Sequence, residues 1–435
     1  MIKQNHFFTH FFIASLLTVL FSATVSATIE TEQYIYTADN SLDGNALHGY
    51  KIQNDGTLAS LPGSPYATGG LGNGVANFSQ DGIITSPSGR LMFVVNPGSN
   101  DISVFKTRLD GSLSPVPGSP FPTGGLVPMS LALSGNILYV AHAGPNASVF
   151  GNSSQPCVAC DYRGFRVRFN GYLDPIEGSK IDLEEQPAAF PLSIRFNPQG
   201  DVLMGSLFVF APFQFTSEEL NTFKLDKKTG LLEPAPGSPY RADQGSNQPI
   251  GFTFNPANPS QVFVANSVSD DPVALGTLST WLMAETGQIS EILESPTDAS
   301  QFDGFNLDGI ALATCWVTST SDGQFLYATN TLTDNISIFR ADESGATELL
   351  DVVPLPIDNV SLDSPVDVLV TPDDQYFYSV QTFIGSVVGW KIEDDGSLTA
   401  LPSQPAPLPA DSQPFGLALV EKPKFDGTVW NKFFN

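Results

Sequence analysis

Three ionisable side chains, His142, Arg195 and Asp367, are of the types that together support hydrolysis of an acyl bond. A histidine or a carboxylate can act as general base and remove a proton from an attacking water. A guanidinium can stabilise the oxyanion that develops as the water adds. The sequence therefore offers His142 or Asp367 as the base and Arg195 as the cation, provided that the fold brings them together.

The elements that must position these residues come from a sequence repeat. A glycine turn followed by an apolar residue recurs seven times, with spacings of 55, 60, 59, 57, 58 and 51 residues between its glycines. These glycines are Gly56, Gly111, Gly171, Gly230, Gly287, Gly345 and Gly396. Asp-Gly and Asn-Gly pairs favour the tight turns that join antiparallel strands. With three further strand patterns around each turn, the unit predicts a four-stranded propeller blade.

The two ends of the chain indicate how the ring closes. The first unit lacks its opening strand and begins at the second strand, near Tyr34, whereas the matching opening strand occurs at residues 414–420. A blade built from both termini leaves no free sheet edge at the seam. The sequence thus predicts an all-β, seven-bladed β-propeller over residues 28–422, followed by a C-terminal tail at 423–435.

The first 27 residues have the order of a secretory signal. Lys3 precedes an apolar stretch at 11–21, and small residues follow up to Ala27. The apolar stretch is shorter than the ~20 residues that a membrane-spanning helix needs, and no later segment is long and apolar enough. We therefore expect a secreted protein, extracellular or periplasmic, without membrane insertion.

Composition narrows the range of partners. The chain has 45 acidic and 19 basic residues, a formal charge of −26, and its acids are spread along the whole length. Binding to nucleic acid requires clustered Lys and Arg, so we expect no nucleic-acid partner. Beyond the signal only His48 and His142 remain, and neither a zinc-type spacing nor a calcium loop is present. We expect no metal, no cofactor and a monomeric protein, with His48 at the surface.

Aligning the opening strands shows where the chain departs from its repeat. Arg195 stands in a column that is otherwise uncharged, and Trp316 and Asp367 stand in a column of glycines and serines. A charge on an innermost strand is costly unless it is paired or used. Two interpretations stay open for Arg195 and Asp367: catalytic groups, or satisfied charges between blades or in the channel.

A third column, at the ends of the second strands, contains His142. The other units have Asn, Ser or Gln there, among them Asn266 and Asn330. His142 is either a general base or a cap on its strand. In the catalytic interpretation, Asn266, Asn330 and Trp316 are candidates for binding the substrate.

Cysteines and sequons add two further expectations. Cys157 and Cys160 lie close together in an insertion, and in an exported protein they favour a small disulfide, although pairing of Cys315 with this insertion stays open. Five Asn-x-Ser sequons predict glycosylation on exposed loops if the source is eukaryotic. The sequons begin at Asn77, Asn146, Asn152, Asn335 and Asn359.

Two segments carry a resemblance to a known family. Residues 93–120 and 326–345 resemble the lactonase family of seven-bladed propellers, which includes 6-phosphogluconolactonase-like proteins, carboxymuconate cyclases and YVTN-type surface propellers. The resemblance covers nearly the whole chain after the signal and rests on motifs of the fold. The His-rich signature of the 6-phosphogluconolactonase-like branch is absent, because the corresponding strand, 190–194, contains no histidine.

The resemblance implies one function and leaves another open. The first is an exported lactone hydrolase or carboxymuconate-type cyclase that acts on a small lactone without a cofactor. The second is a non-enzymatic propeller that binds a protein or glycan through its longest loops. Those insertions are at 143–162, 207–217, 267–276 and 297–312 and include the aromatic stretch 207–215.

Overall fold

The computed structural model divides the chain into two units. Glu32–Lys422 forms one unit; Met1–Thr31 and Pro423–Asn435 form the other, in which the Lys424 ammonium lies 2.6 Å from the Glu30 carboxylate. The structure describes residues 30–75, 79–145, 158–183, 189–209, 219–241, 247–268, 276–296, 314–331, 333–356, 365–402, 408–409 and 412–424. The signal segment and the tail beyond Lys424 lie outside this part of the chain.

The described residues fold into seven antiparallel sheets, the blades, and contain no helix. No helix able to cross a membrane was found among them. Blades 1 to 3 contain β1 (Thr31–Ala38), β2 (Ala46–Ile52), β3 (Leu58–Ser60), β4 (Tyr66–Ala67), β5 (Ile83–Thr85), β6 (Leu91–Asn96), β7 (Asp101–Thr107), β8 (Leu113–Pro115), β9 (Phe121–Pro122), β10 (Pro128–Ser134), β11 (Ile137–His142), β12 (Asp161–Val167), β13 (Leu173–Pro175) and β14 (Ile181–Asp182).

The remaining blades continue in the same order. Blades 4 and 5 contain β15 (Ala189–Phe196), β16 (Val202–Val209), β17 (Glu219–Leu225), β18 (Leu232–Pro234), β19 (Tyr240–Arg241), β20 (Asn247–Phe254), β21 (Gln261–Val268), β22 (Thr277–Met283) and β23 (Ile289–Pro296). Blades 6 and 7 contain β24 (Thr314–Ser319), β25 (Phe325–Asn330), β26 (Asn335–Ala341), β27 (Thr347–Pro354), β28 (Pro365–Val370), β29 (Tyr376–Gln381), β30 (Ser386–Ile392) and β31 (Leu398–Ala400). The last strand, β32 (Phe415–Pro423), belongs to blade 1.

The seam of the ring confirms the prediction made from the chain ends. The sheet order in blade 1 is β3-β2-β1-β32, so the C-terminal strand supplies the innermost strand of the first blade. The Thr37 hydroxyl donates to the Phe415 carbonyl across this seam, at 3.3 Å. Because β1 is paired on both sides, the join leaves no exposed strand edge there.

The repeated glycine turns also hold neighbouring blades together. All seven turn glycines have positive φ, between +78° and +92°, a conformation that side chains disfavour. The carbonyls of six turn glycines accept a hydrogen bond from the preceding blade, for example from the Tyr139 hydroxyl to Gly230 at 2.8 Å and from the Tyr378 hydroxyl to Gly56 at 2.6 Å. The six are Gly56, Gly111, Gly230, Gly287, Gly345 and Gly396. The repeat therefore encodes both the hairpin and a contact between blades.

Candidate functional site

The centre of the ring is crossed by a short segment, Ser79–Asp81, just before blade 2. The opening strand of that blade, β5, has 3 residues, whereas β10 has 7 and β15 has 8. Gln80 donates through Nε2 to the Val317 carbonyl of blade 6, at 3.2 Å. Its Oε1 accepts from the Phe252 amide of blade 5, at 3.1 Å. One side chain thus connects blade 2 to the opposite side of the channel.

The Asp81 side chain points from this segment into the channel and contacts Arg195. Its φ of +60° takes the chain out of strand geometry. The Arg195 guanidinium donates to both Asp81 oxygens, from Nε to Oδ2 and from Nη2 to Oδ1, at 2.9 Å each. Arg195 Nη1 also donates to the Phe252 carbonyl, at 3.2 Å. The pair is bidentate, the geometry in which a guanidinium and a carboxylate interact most strongly.

Asp367 approaches the same pair from blade 7 and is 2% exposed. Its Oδ1 accepts from its neighbour Val368 N at 2.8 Å, and its Oδ2 accepts from Leu417 N at 2.9 Å. Burial, together with the negative charge of Asp81, raises the pKa of Asp367 to about 8, although Arg195 opposes the change. Two carboxyls and one guanidinium from three blades therefore form one channel cluster: Asp81, Arg195 and Asp367.

The exposure of the inner strands shows from which side this cluster is reached. On the level of Arg195, Ile84, Thr318 and Leu369 are partly exposed, whereas Ala132, Thr253 and Ala418 are buried. Two residues earlier in the inner strands, Ser193, Trp316 and Asp367 are buried. Solvent therefore reaches the channel beside blades 2, 6 and 7, on the face that carries the turns between the first and second strands, and the channel cluster forms the floor of this recess.

Behind that floor, on the side away from the recess, lie buried polar atoms without a hydrogen-bond partner in the described part of the chain. They are Ser79 Oγ, Ser193 Oγ and the indole nitrogen of Trp316. The Trp316 ring is fully buried, and its backbone lies against Gly251, where a Cβ would come within 3.0 Å of the Trp316 Cα. In the structure as it stands, Trp316 is a wall of the channel interior and does not face the solvent-filled recess.

His142 lies apart from the channel cluster, at the end of β11. Its Nδ1 is 2.7 Å from Asp161 Oδ1, and Asp161 also accepts from Arg163 Nη2 at 2.8 Å. Burial acts to raise the Asp161 pKa, but the hydrogen bonds from His142 and Arg163 outweigh it and lower that pKa. The imidazole is fully buried, with Gly125 against its face, where a Cβ would come within 2.4 Å of Cγ. No hydrogen bond or ion pair joins His142 to Arg195 or Asp367 among the described residues.

The contact that His142 makes is the contact that asparagines make in other blades. Each joins the end of the second strand to the start of the third and seals that corner of the blade. The equivalent bonds run from Asn96 Nδ2 to Asp101 at 2.6 Å, from Asn266 Nδ2 to Thr277 at 3.1 Å and from Asn330 Nδ2 to Asn335 at 2.6 Å. We call this contact the strand-end clasp. The amide donors of Asn266 and Asn330 are thereby already used within their own blades.

Blade 1 contains a variant of the same corner and corrects one expectation. Asp39 takes the strand-end position, one residue before the Asn40 of the sequence alignment, and its Oδ2 lies 3.2 Å from His48 Nε2. His48 is 9% exposed, so our expectation of a surface histidine was wrong. His48 lies in a run of four consecutive buried residues of β2, Leu47 to Tyr50, so both faces of this strand are covered.

Of the cysteines and sequon asparagines, the structure describes Cys160, Cys315 and Asn335. Cys160 is disulfide-bonded, whereas Cys315 is a buried thiol that hydrogen-bonds with Thr331, and burial raises the pKa of Cys315 to about 12. Cys157 lies outside the described residues, as do the sequon asparagines Asn77, Asn146, Asn152 and Asn359. Asn335 is fully buried and accepts the strand-end hydrogen bond of Asn330, so it is not an exposed acceptor for a glycan.

Sequence reasoning found two members of the channel cluster and missed the third. Arg195 and Asp367 stood out from their columns, but Asp81 precedes the aligned part of its short strand and was not compared. The signal that could have found it is the need of an inner-strand arginine for a carboxylate partner. Most of the four long insertions lie outside the described residues, so the face they were expected to form is not described.

The fold places the chain in one structural class, the seven-bladed β-propellers. The structure is similar to a putative 6-phosphogluconolactonase from Bacteroides fragilis, with a TM-score of 0.66 and 21% identity over 91% of this chain and 99% of that one. It is similar to a second from Bacteroides uniformis, with a TM-score of 0.67 and 17% identity over 90% and 100%. It is also similar to the periplasmic gluconolactonase of Pseudomonas aeruginosa, with a TM-score of 0.67 and 15% identity over 90% and 99%.

At these identities the likeness concerns the fold. No protein-family model matches the chain, and no curated protein gives a significant match. The chain therefore shares its architecture with lactonase-like propellers, and its chemistry has to be argued from its own residues.

Proposed function

We propose that this protein is an exported lactonase that opens a small lactone ring in the channel recess, above Asp81, Arg195 and Asp367. The observation that carries the proposal is the convergence of two carboxyls and one guanidinium at the floor of a recess that solvent reaches from the face of the turns between first and second strands. Similar propellers from three bacteria carry gluconolactonase or putative 6-phosphogluconolactonase names, which supports a lactone as the substrate class.

In the proposed reaction Arg195 binds the lactone carbonyl. A guanidinium has five N–H donors, and Arg195 uses its Nε and one Nη2 hydrogen on Asp81, so a second Nη2 hydrogen is left for the substrate. As water adds to the carbonyl carbon, negative charge develops on the carbonyl oxygen, and the fixed guanidinium stabilises it. Removal of one such donor from an acyl-transfer site costs about 10²–10³ in rate.

Asp81 moves the proton. It takes a proton from water as the oxygen attacks the carbonyl carbon, and it returns that proton to the ring oxygen as the carbon–oxygen ring bond breaks. The product is an open-chain hydroxy acid, and the carboxylate of Asp81 is regenerated. Asp81 suits this role better than Asp367, because its side chain is 21% exposed and therefore reachable from the recess.

Asp367 acts as a positioning residue behind the pair. A pKa of about 8 favours the neutral form of Asp367 at pH 7. Arg195 then faces the negative charge of Asp81 alone, and its positive charge remains available to stabilise the substrate. Above that pH a second negative charge forms beside the guanidinium and weakens the stabilisation of the oxyanion. This assignment differs from the sequence-based expectation, in which Asp367 or His142 was the base.

The test is turnover of a panel of lactones in a pH-stat at pH 7. The panel contains γ- and δ-lactones, aldonolactones with and without a 6-phosphate, and muconolactones. We expect wild type and the matched control His142→Asn to turn over one class, and Arg195→Met to lose about a hundredfold or more. Thermal unfolding of each variant shows whether it is folded at the assay temperature.

Two outcomes contradict the proposal. Equal turnover by wild type and Arg195→Met would remove the channel cluster from the reaction. Absence of turnover on every lactone by folded wild type would leave the alternative, a propeller that binds a protein or glycan partner.

Export is the second part of the proposal and is supported by the signal-like order of residues 1–27. We expect the mature chain to begin at Thr28. Expression in a bacterial host followed by N-terminal sequencing of the periplasmic or culture-medium protein checks this, and recovery of uncleaved cytoplasmic chain alone would contradict it.

A further inference from the structure

A small depression between blades 2 and 3 lies on the same face of the ring as the open end of the channel, but outside it. Its volume is about 170 Å³. Part of the wall is apolar, and the polar, charged or exposed aromatic side chains that line it are Ser86, Ser88, Arg90, Asn136, Arg168 and Phe169. Pockets for drug-sized ligands measure roughly 300–1,000 Å³, so this one suits a single small ring and is too small for a folded or extended peptide.

Arg90 enters this depression without a carboxylate partner among the described residues. Its guanidinium carbon lies 4.6 Å from the centroid of the Phe169 ring. A second cation is close by: the Lys422 ammonium donates to Thr107 Oγ1 at 2.9 Å and to the Gly89 carbonyl. Burial lowers the pKa of Lys422, and the charge of Arg90 lowers it further. Two neighbouring cations repel each other, and a bound anion would relieve that repulsion.

Other basic residues near the depression are already paired with carboxylates. Arg168 pairs with Asp174, and Lys224 pairs with Asp201. Arg90 has no such partner among the described residues, so it is the cation that remains available to an anion.

Phe169 gives the depression its second recognition element. Its side chain belongs to a residue that is 84% exposed, far more than a large aromatic residue normally is. With Arg90 over one face of the ring, the other face remains available for stacking against the C–H groups of a sugar ring. The hydroxyls of Ser86 and Ser88 and the amide of Asn136 can bond to sugar hydroxyls, and Arg90 can bind a carboxylate.

We propose that this depression binds a carboxylate-bearing sugar, one hexuronate residue of an acidic saccharide. The site is separate from the channel cluster, and the inference does not depend on the proposed lactonase activity. Arg90 recognises the carboxylate and so selects acidic saccharides over neutral ones, and Phe169 stacks on the ring.

The probe is trigalacturonate, with galactotriose as its neutral counterpart. Each is titrated by calorimetry into the mature protein, from which the signal segment has been removed. We expect trigalacturonate to bind wild type, and Arg90→Ala and Phe169→Ala each to weaken binding about tenfold or more. The matched control is Arg340→Ala, which removes the same kind of contact in blade 6, where Arg340 lies 5.5 Å from the Phe325 ring centroid. This variant should bind as wild type does, and galactotriose should not bind.

Three results would overturn the inference. They are absence of trigalacturonate binding to wild type, equal binding by wild type and Arg90→Ala, and equal binding of galactotriose. Citrate serves as a further probe: if citrate binds as tightly as trigalacturonate and with the same loss in Arg90→Ala, the depression is a general anion site and the sugar assignment is wrong. Arg90 and Phe169 are exposed, so both variants should remain folded, which a thermal melt checks.

Discussion

The channel cluster and the strand-end clasp of blade 3 are both departures from the repeat, but they differ in where the departing charge goes. His142 replaces an asparagine and makes the asparagine's contact, with Asp161 in the place of Asp101. Arg195 replaces an uncharged residue and leaves its own blade to pair with Asp81 of blade 2. Asp367 accepts from Leu417 of the next blade as Ser130 accepts from Ile194, but it adds a carboxyl beside Asp81 and Arg195.

The difference offers a criterion for repeat proteins. An unusual residue whose contact can be overlaid on the contact of its repeat equivalents is serving the scaffold. An unusual residue whose contact has no equivalent in the other blades is a better candidate for function. On this criterion Arg195 is the stronger candidate and His142 the weaker one.

The largest expected effect comes from removing the cation of the channel cluster. Arg195→Met leaves Asp81 without its counter-ion beside a second carboxyl, and breaking such a pair costs about 3 kcal/mol of unfolding free energy. Adding Asp81→Asn should recover part of the loss, because the uncompensated charge is then absent. Urea unfolding of the two single variants and the double variant at pH 7 measures this. If the loss of unfolding free energy in the double variant equals the sum of the two single losses, Asp81 and Arg195 are not coupled and the prediction is wrong.

The second effect depends on pH and concerns Asp367. An unfolded aspartate has a pKa of about 3.9, and the folded value of about 8 means that the folded state holds the proton more tightly. Between these values the folded state binds more protons than the unfolded state, so this group reduces stability as pH rises, fully so above pH 8. Asp367→Asn should remove this pH-dependent loss of stability. It should also add a cost that does not change with pH, because the amide weakens one of the hydrogen bonds from Val368 N or Leu417 N.

Activity should follow the same ionisation. Wild-type lactone turnover should fall above pH 8 as Asp367 ionises beside Arg195, and Asp367→Asn should not show this fall. Unfolding curves and pH–rate profiles from pH 5 to 9 measure both effects. A wild-type pH dependence that survives unchanged in Asp367→Asn would assign the ionisation to another group.

The third prediction tests whether the strand-end clasps of blades 2 and 3 are equivalent. A Cβ on Gly70 would lie 2.4 Å from Asn96 Nδ2, just as one on Gly125 would lie 2.4 Å from His142 Cγ. Because overpacking a closed site costs about 1–3 kcal/mol, Gly70→Ala and Gly125→Ala should destabilise the protein by similar amounts. Thermal unfolding compares them, and a loss confined to Gly125→Ala would give His142 a role that Asn96 lacks.

The smallest effect tests His142 directly. His142→Asn restores the residue found at this corner in blades 2, 5 and 6, and should change the unfolding free energy by less than about 1 kcal/mol. Lactone turnover should remain at the wild-type level. A large loss of turnover with unchanged stability would show that His142 takes part in the reaction. The strand-end clasp of blade 3 would then be a stronger candidate site than the channel cluster.

Much of the architecture could be predicted because it rests on local signals repeated seven times. The turn glycines, the strand patterns and the displaced opening strand at residues 414–420 each follow from short-range sequence, and repetition makes the period visible. The columns also singled out Arg195 and Asp367 as unusual. The prediction failed at Asp81, where a column ended, and at His48, which lies in a strand with four consecutive buried residues.

The sequence by itself determined the seven-bladed ring and the positions that depart from its repeat, since turn and strand preferences act over a few residues. Only the tertiary structure decided which departing charges meet. Asp81 and Arg195 are 114 residues apart, and their bidentate contact forms because a shortened opening strand frees residues 79–81 to cross the channel. No local pattern encodes that meeting, because it depends on three blades being fixed around one axis.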